Sequence, residues 1–420
     1  FSVTYVLYLN TSEANARPMP IDIFRLHAII KVGKLGRFLC GRKDKEIVMS
    51  QVLPPVTIPV NDLKAAYMQH AAEYEQKAVE VLRSGWYVLG NEVKSFEREF
   101  ADYVGVKHCV GLASGLDALW IAFRLLNMGP GDEIIVCSNA YIACVMGITI
   151  NGATPVFVEP DEYDNLDADK VEAAVTPATR AILAVHLYGQ TCDMDKLGEI
   201  CAHHNLILVE DCAQSHGTTW RGRQAGSFGR IGCFSFYPTK GLGAFGEGGC
   251  ITTNDDDIAD RCRTFRNYGS KVHYQNEVVG TNSRLHELQA GLLRVKLQYL
   301  DQINAERAVI ASRYMEGIRT DYLALPRVRP GVVSTWHQFV IHTPYRDQLR
   351  QYLRQNGVGT EVHYPIPPHL SKAYASLGYH RGDFPIAEQY ADQVLSLPMY
   401  NGYTPENQRR VIELINAFRP

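Results

Sequence analysis

From about residue 65 the chain alternates short, uninterrupted apolar runs with stretches in which apolar residues recur every three or four positions. That order builds a mostly parallel sheet with helices on both faces. Val110 to Leu112, Ile134 to Val136, Pro155 to Val158, Ala181 to Val185 and Leu206 to Val209 are the runs expected of strands buried on both sides. Between them, Leu116 to Leu126, Asp167 to Ala174 and Met194 to His203 carry helical spacing. The predicted α/β domain spans residues 49–290, with its regular pattern starting near residue 60. Leu285, Leu288, Leu292, Val295 and Tyr299, continued through Ile303 towards Tyr314, predict one long amphipathic helix leading into a smaller C-terminal domain, residues 291–420. In that domain Thr335 to His342, Val358 to Val362 and the helix-like Ala387 to Leu395 predict a compact α+β unit.

Residues 1–48 break the pattern. They show no helix or strand period and carry basic residues at Lys31, Lys34, Arg37, Arg42, Lys43 and Lys45, and Met49 follows. Two readings stand: Met49 is the natural start and the preceding stretch is an upstream-translation artefact, or the stretch is an extension that folds against a partner.

Composition narrows the function classes. With 420 residues, 46% hydrophobic and 21% charged, the chain can bury a large core. A formal net charge of -3 gives no electrostatic footprint for nucleic acid, and none is expected as a partner. The ten cysteines include no C-x-x-C pair, and Cys137, Cys144 and Cys250 sit among apolar residues, which predicts buried thiols in a reducing cytoplasm. No apolar run approaches the roughly 18 residues of a membrane span, so no membrane association is expected.

Candidate chemistry concentrates in three segments. In Cys233-Phe-Ser-Phe-Tyr-Pro-Thr-Lys240, followed by Gly241-Leu-Gly-Ala-Phe-Gly-Glu-Gly-Gly249, a short strand runs into a lysine flanked by small residues. A lysine held there, with its pKa lowered, can form a Schiff base with an aldehyde. The buried run Leu206 to Val209 ends in Glu210-Asp211-Cys-Ala-Gln214, placing acids at the carboxyl end of a strand, where open α/β sheets bind ligands. A carboxylate there either pairs with a pyridinium nitrogen or caps the next helix. In Gly111-Leu-Ala-Ser114-Gly115-Leu116, a strand passes through Ser-Gly into a helix whose first amides suit a phosphate, although an ordinary N-cap has the same wording. Gly241-Leu-Gly243-Ala-Phe-Gly246 matches G-x-G-x-x-G, but the strand-like Gly249 to Thr253 follows it where a dinucleotide fold needs a helix. His203-His204 has no cysteine or carboxylate at ligand spacing in the sequence and reads as a solvated pair, so no metal is expected.

Taken in order, these segments resemble the DegT/StrS family of sugar aminotransferases. The likeness covers about residues 58 to 415, through Gly85-Trp-Tyr-Val-Leu-Gly90, Ala113-Ser-Gly-Leu-Asp-Ala-Leu119, Val185-His-Leu-Tyr-Gly189, Glu210-Asp-Cys-Ala-Gln214, Phe234-Ser-Phe-Tyr-Pro-Thr-Lys240 and Gly280-Thr-Asn-Ser-Arg284. It implies a fold-type I transferase dependent on pyridoxal 5'-phosphate (PLP), with Lys240 linked to the cofactor and shuttling the proton, Asp211 at the pyridine nitrogen and Gln214 near the ring hydroxyl. It further implies that the Gly115 and Leu116 amides and the Ser235 hydroxyl hold the phosphate. Tyr141, in the slot usually filled by Phe or Trp, would stack on the ring, and Asn282 would reach the phosphate of a neighbouring subunit in a homodimer. One group of relatives carries histidine in place of the lysine and performs dehydration; Lys240 implies amino transfer. The wording of His363-Tyr-Pro-Ile-Pro-Pro368, Phe384-Pro-Ile-Ala-Glu388 and Leu395-Ser-Leu-Pro398 is most similar to enzymes acting at C3 of dTDP-linked 3-keto-6-deoxyhexoses, with L-glutamate as donor. Tyr237, His363 and Tyr364 are the candidate sugar contacts, with packing roles as the alternative. Amination at C4 of a nucleotide-linked 4-keto sugar, or a PLP-binding regulator without turnover, are the rival functions.

Overall fold

The computed structural model describes residues 54–420, and the basic stretch 1–48 with Met49 lies outside the described residues. Seven strands form the central sheet: β1 (His108–Leu112), β2 (Glu133–Cys137), β3 (Thr154–Val158), β4 (Thr179–Val185), β5 (Ile207–Asp211), β6 (Ile231–Ser235) and β7 (Gly249–Thr253). Their spatial order is β1-β7-β6-β5-β4-β2-β3. The pairs β3-β2, β2-β4, β4-β5 and β5-β6 are parallel, and β7 runs antiparallel between β6 and β1. The five runs expected as strands are β1 to β5, each lengthened by one or two residues except where Leu206 falls just outside β5. Ile134, Ile135, Val136, Ala181, Ile182, Leu183 and Val209 have no exposed surface, as continuous apolar strands require.

Helices α1 (Asn91–Val104), α2 (Gly115–Leu125), α3 (Ile142–Thr149) and α4 (Met194–His204) pack on this sheet or on one another. Asp167 to Ala174 is a short helix, Ala168–Val171, tightening into a 3-10 turn, Glu172–Ala174. Gly249 to Thr253 is strand β7, so no helix follows the G-x-G-x-x-G match and the dinucleotide reading is excluded.

The long amphipathic stretch is two helices, not one: α5 (Glu287–Leu297) and α6 (Leu300–Gly317). The break falls at Tyr299, whose φ of -106° and ψ of 2° leave the helical region. There the ring stacks on His70 at 3.7 Å, and the hydroxyl donates to Glu73 at 2.7 Å. Val295, Tyr299 and Ile303 keep a four-residue spacing across the break, so the spacing alone does not reveal it. Beyond α6, strand β8 (Phe339–His342) pairs antiparallel with β9 (Val394–Leu397). Helix α7 (Pro385–Gln393) stops just before β9, so Val394 and Leu395 belong to a strand rather than to the expected helix. Val358 to Val362 forms isolated bridges, Val358 to Ile58 and Glu361 to Ser396, instead of a strand. Tyr314 of α6 donates to Pro398 O at 3.0 Å, tying the helix to the C-terminal segment.

Candidate active site

The carboxyl ends of β4, β5 and β6 open onto a cavity of about 390 Å³ lined by Gly115, Leu116, Tyr141, Asp211, Gln214, Ser235, Tyr237, Lys240, His363 and Tyr364. Every candidate cofactor or sugar contact lines this cavity except Asn282, whose exposed side chain lies elsewhere and donates to the Tyr268 hydroxyl at 3.0 Å. Two loops, a helix start and a segment far along the chain converge here because parallel strands all end on the same side.

One wall is the start of α2. Ser114 caps it, its hydroxyl accepting the Asp117 N–H at 3.1 Å, which leaves the first-turn amides of Gly115 and Leu116 directed outward at the positive end of the helix. A Cβ at Gly115 would collide with the Ser235 side chain, so the glycine brings β6 and the helix start into direct contact. Amides and a hydroxyl assembled so closely form a cradle for an anion.

Asp211, 6% exposed, ends β5. Its Oδ1 accepts the Ala213 N–H at 3.0 Å, and its Oδ2 accepts the Cys144 thiol at 3.0 Å. Glu210 faces the other way, as strand alternation demands. Its carboxylate accepts N–H groups from Gly226, Phe228 and Gly229 at 2.7 Å each and lies 3.0 Å from His186 Nε2. Although His186, Glu210 and Cys212 approach one another at ligand distances, Glu210 is thus already occupied in anchoring the 226–229 loop.

Lys240 follows a turn in which its own N–H donates to Tyr237 O at 2.9 Å. Burial pulls its pKa below that of an ordinary lysine, and Asp211 pulls the other way without cancelling the effect. Gln214 bridges two elements, its Oε1 accepting the Tyr188 N–H at 2.7 Å and its Nε2 donating to the Tyr364 hydroxyl at 3.2 Å. Tyr141 is 47% exposed, with its ring centroid 4.9 Å from that of Tyr364. His363 Nδ1 lies 2.8 Å from Ser396 Oγ, and burial lowers its pKa to about 4.

The cavity also contains residues that sequence reasoning missed. Cys144, His337 and Gln338 line it. Burial and the proximity of Lys240 hold His337 well below the normal histidine range. Its carbonyl accepts from the buried Arg307 at 3.1 Å. In the sequence Thr335 to His342 carries only the pattern of the C-terminal α+β unit, and no local motif marks His337. On the surface, Glu172 stands 2.9 Å from His204 Nε2, so the structure gives the His203-His204 pair a carboxylate neighbour that sequence spacing did not show. Glu172 and His203 are exposed, and an ion pair accounts for the group.

The residues present fit a phosphorylated aldehyde cofactor: an anion cradle that a larger side chain at position 115 would fill, a buried carboxylate, and an amine of lowered pKa share one cavity. A dTDP-3-amino-3,6-dideoxy-alpha-D-galactopyranose transaminase of Aneurinibacillus thermoaerophilus is 47% identical over 362 residues, covering 86% of this chain and 99% of that protein. The crystal structure of S. venezuelae DesV in complex with a ketimine intermediate matches with a TM-score of 0.84 and 47% identity, covering 86% of this chain and 98% of that one. The structure of NtdA from Bacillus subtilis with bound cofactor PMP matches at a TM-score of 0.79 and 30% identity, covering 86% and 85%. Residues 68–416 match the profile of a single family, and with the cavity and these relatives they establish that the chain belongs to the DegT/DnrJ/EryC1/StrS aminotransferase family.

Proposed function

We propose that this aminotransferase uses PLP to move an amino group from L-glutamate to C3 of a dTDP-linked 3-keto-6-deoxyhexose, working as a homodimer. The observation that carries the reading is the meeting of Lys240, Asp211 and the Ser114-Gly115 helix start around one cavity. The C3 choice is supported by the relative named for a dTDP-3-amino-3,6-dideoxyhexose. When bound, PLP supplies an aldehyde that condenses with amines and a ring that takes up the electrons released as a Cα proton leaves.

In this reading the Gly115 and Leu116 amides and the Ser235 hydroxyl would hold the phosphate. Asp211, held by its two donors, would pair with the ring nitrogen. Gln214 would reach the ring hydroxyl, and Tyr141 would stack on the ring. Lys240 would hold the cofactor covalently and serve as the base and acid that moves the proton; its lowered pKa keeps more of the amine neutral. Tyr237, His363 and Tyr364 face the sugar, with His363 neutral near pH 7.

The homodimer is supported by two features. Asn282 is exposed and outside its own cavity, positioned to serve a second copy. In the Gly85-Gly90 segment Trp86 and Tyr87 are 64% and 52% exposed, an apolar surface suited to burial against a partner. The nine cysteines among the described residues are all buried and unpaired, which supports a reducing compartment such as the cytoplasm. Among the described residues no helix is long and apolar enough to cross a membrane.

Incubating the purified protein with PLP, L-glutamate and a panel of dTDP-3-keto and dTDP-4-keto sugars tests the substrate directly. The expected product carries the new amine at C3, with 2-oxoglutarate released in equal amount. Amination confined to the 4-keto sugars would overturn the substrate while leaving the cofactor in place.

A further inference from the structure

The carboxylate of Asp211 is held from two sides, and one of the two donors comes from a different part of the chain. Ala213 N–H, two residues on, donates to Oδ1 at 3.0 Å. The thiol of Cys144, separated by 67 residues, donates to Oδ2 at 3.0 Å. Cys144 lies in the first turn of α3, three residues after the candidate stacking residue Tyr141, and is 1% exposed. Its side chain therefore has a fixed environment, and it borders the same cavity as Asp211 and Lys240.

A buried cysteine commonly does no more than fill space. Two facts separate Cys144 from that role. Its sulfur meets a carboxylate oxygen at hydrogen-bonding distance, and that carboxylate belongs to the acid assigned to the ring nitrogen. Burial, reinforced by the charge of Asp211, raises the thiol pKa well above its ordinary value, so the S–H keeps its proton and acts as a donor. A thiol is a weak donor to a neutral acceptor, but an ionised acceptor away from water strengthens the bond.

We propose that Cys144 is a positioning residue for the transamination, its S–H fixing the orientation of the Asp211 carboxylate that would face the ring nitrogen of PLP. This rests on the assignment of Asp211 to that nitrogen. With Oδ1 and Oδ2 each engaged by one donor, the remaining lone pairs are directed rather than free to rotate. Without the thiol, the carboxylate keeps one local donor and loses the partner that ties it to α3.

The test compares wild type, Cys144→Ala, Cys144→Ser and Asp211→Ala as apoproteins titrated with PLP, reading cofactor Kd and the pH titration of the bound chromophore. Cys144→Ala is expected to raise Kd about five- to tenfold, the scale of one ordinary hydrogen bond, and to shift the chromophore titration. Cys144→Ser, which restores a donor, is expected to return both readouts to about twofold of wild type or better. A packing role predicts the reverse order, because a hydroxyl suits an apolar pocket less well than a methyl group. Should Cys144→Ala fail to fold, Cys144→Val removes the donor while keeping the volume. Wild-type Kd and chromophore titration in the donor-less variant would overturn the proposal, as would a folded Cys144→Ser no better than that variant. If wild type takes up no cofactor, or Asp211→Ala binds it unchanged, the assignment of Asp211 itself falls; if both behave as expected and the donor-less variant matches wild type, only the role of Cys144 falls.

Discussion

At Lys240, burial and the charge of Asp211 act in opposite directions on one amine, and burial prevails. If Lys240 has its proposed role, replacing it by alanine removes both the covalent attachment and the proton carrier, and kcat is expected to fall by at least about a thousandfold while the melting temperature stays near that of the wild-type apoprotein. Steady-state kinetics and thermal melts on the same preparation check this. A second expectation concerns acid. His363, held near 4 in the folded protein, is neutral there but takes up a proton near pH 6.5 when unfolded. The unfolded chain therefore binds more protons between these values, and stability rises with pH across that window and falls as pH drops through it. His216, lowered to about 3 by burial and Lys240, adds in the same direction. His363→Asn should thus lose less of its melting temperature between neutral pH and about pH 5 than wild type does, as read by melts at matched ionic strength. At this scale the sequence was most readable where chemistry and backbone lie together, as in Ser114-Gly115, Asp211 to Gln214 and Ser235 to Lys240. Cys144 and His337 escaped because their relation to the site is made by packing between remote segments, and nothing adjacent to them in the chain signals it.

Elements are positioned by buried carboxylates as much as by apolar faces. Glu287, 3% exposed at the start of α5, accepts the N–H groups of Gly90, Glu92 and Val93 at 2.7, 2.9 and 3.0 Å, and so caps α1 from a helix nearly two hundred positions away. Glu287→Ala leaves these donors without their acceptor and is expected to cost roughly 3 kcal/mol, measured by denaturant unfolding. It also releases the Gly85-Gly90 segment, so any association through Trp86 and Tyr87 should weaken with it. Apolar runs revealed strands β1 to β5 because both faces of those strands are buried. The break between α5 and α6 was invisible because Tyr299 leaves the helix while standing at helical spacing from Val295 and Ile303. The short pairings at Val358 and Glu361 depend on residues near 58 and 396, and no local pattern predicts where such a bridge stops.

For the whole molecule, the alternation of strands and helices conveyed a mostly parallel sheet, but not that β7 enters antiparallel between β6 and β1. That placement brings Gly249 against the backbone of Ser114, joining the loop after Lys240 to the anion cradle. A shared active site makes a quantitative prediction at this scale. Lys240→Ala and Asn282→Ala chains, each nearly inactive alone, should recover about a quarter of wild-type activity when unfolded together and refolded in equal amounts, because half the dimers are mixed and each mixed dimer has one intact site. No recovery would place Asn282 outside its neighbour's cavity. The most direct test of the whole account is covalent: the protein is incubated with PLP, its visible absorbance recorded, and the complex reduced with borohydride, digested and mapped by mass spectrometry. The account predicts a yellow chromophore that reduction bleaches, and a phosphopyridoxyl group on Lys240. A colourless protein, or label on another lysine with Lys240 unmodified, would contradict it.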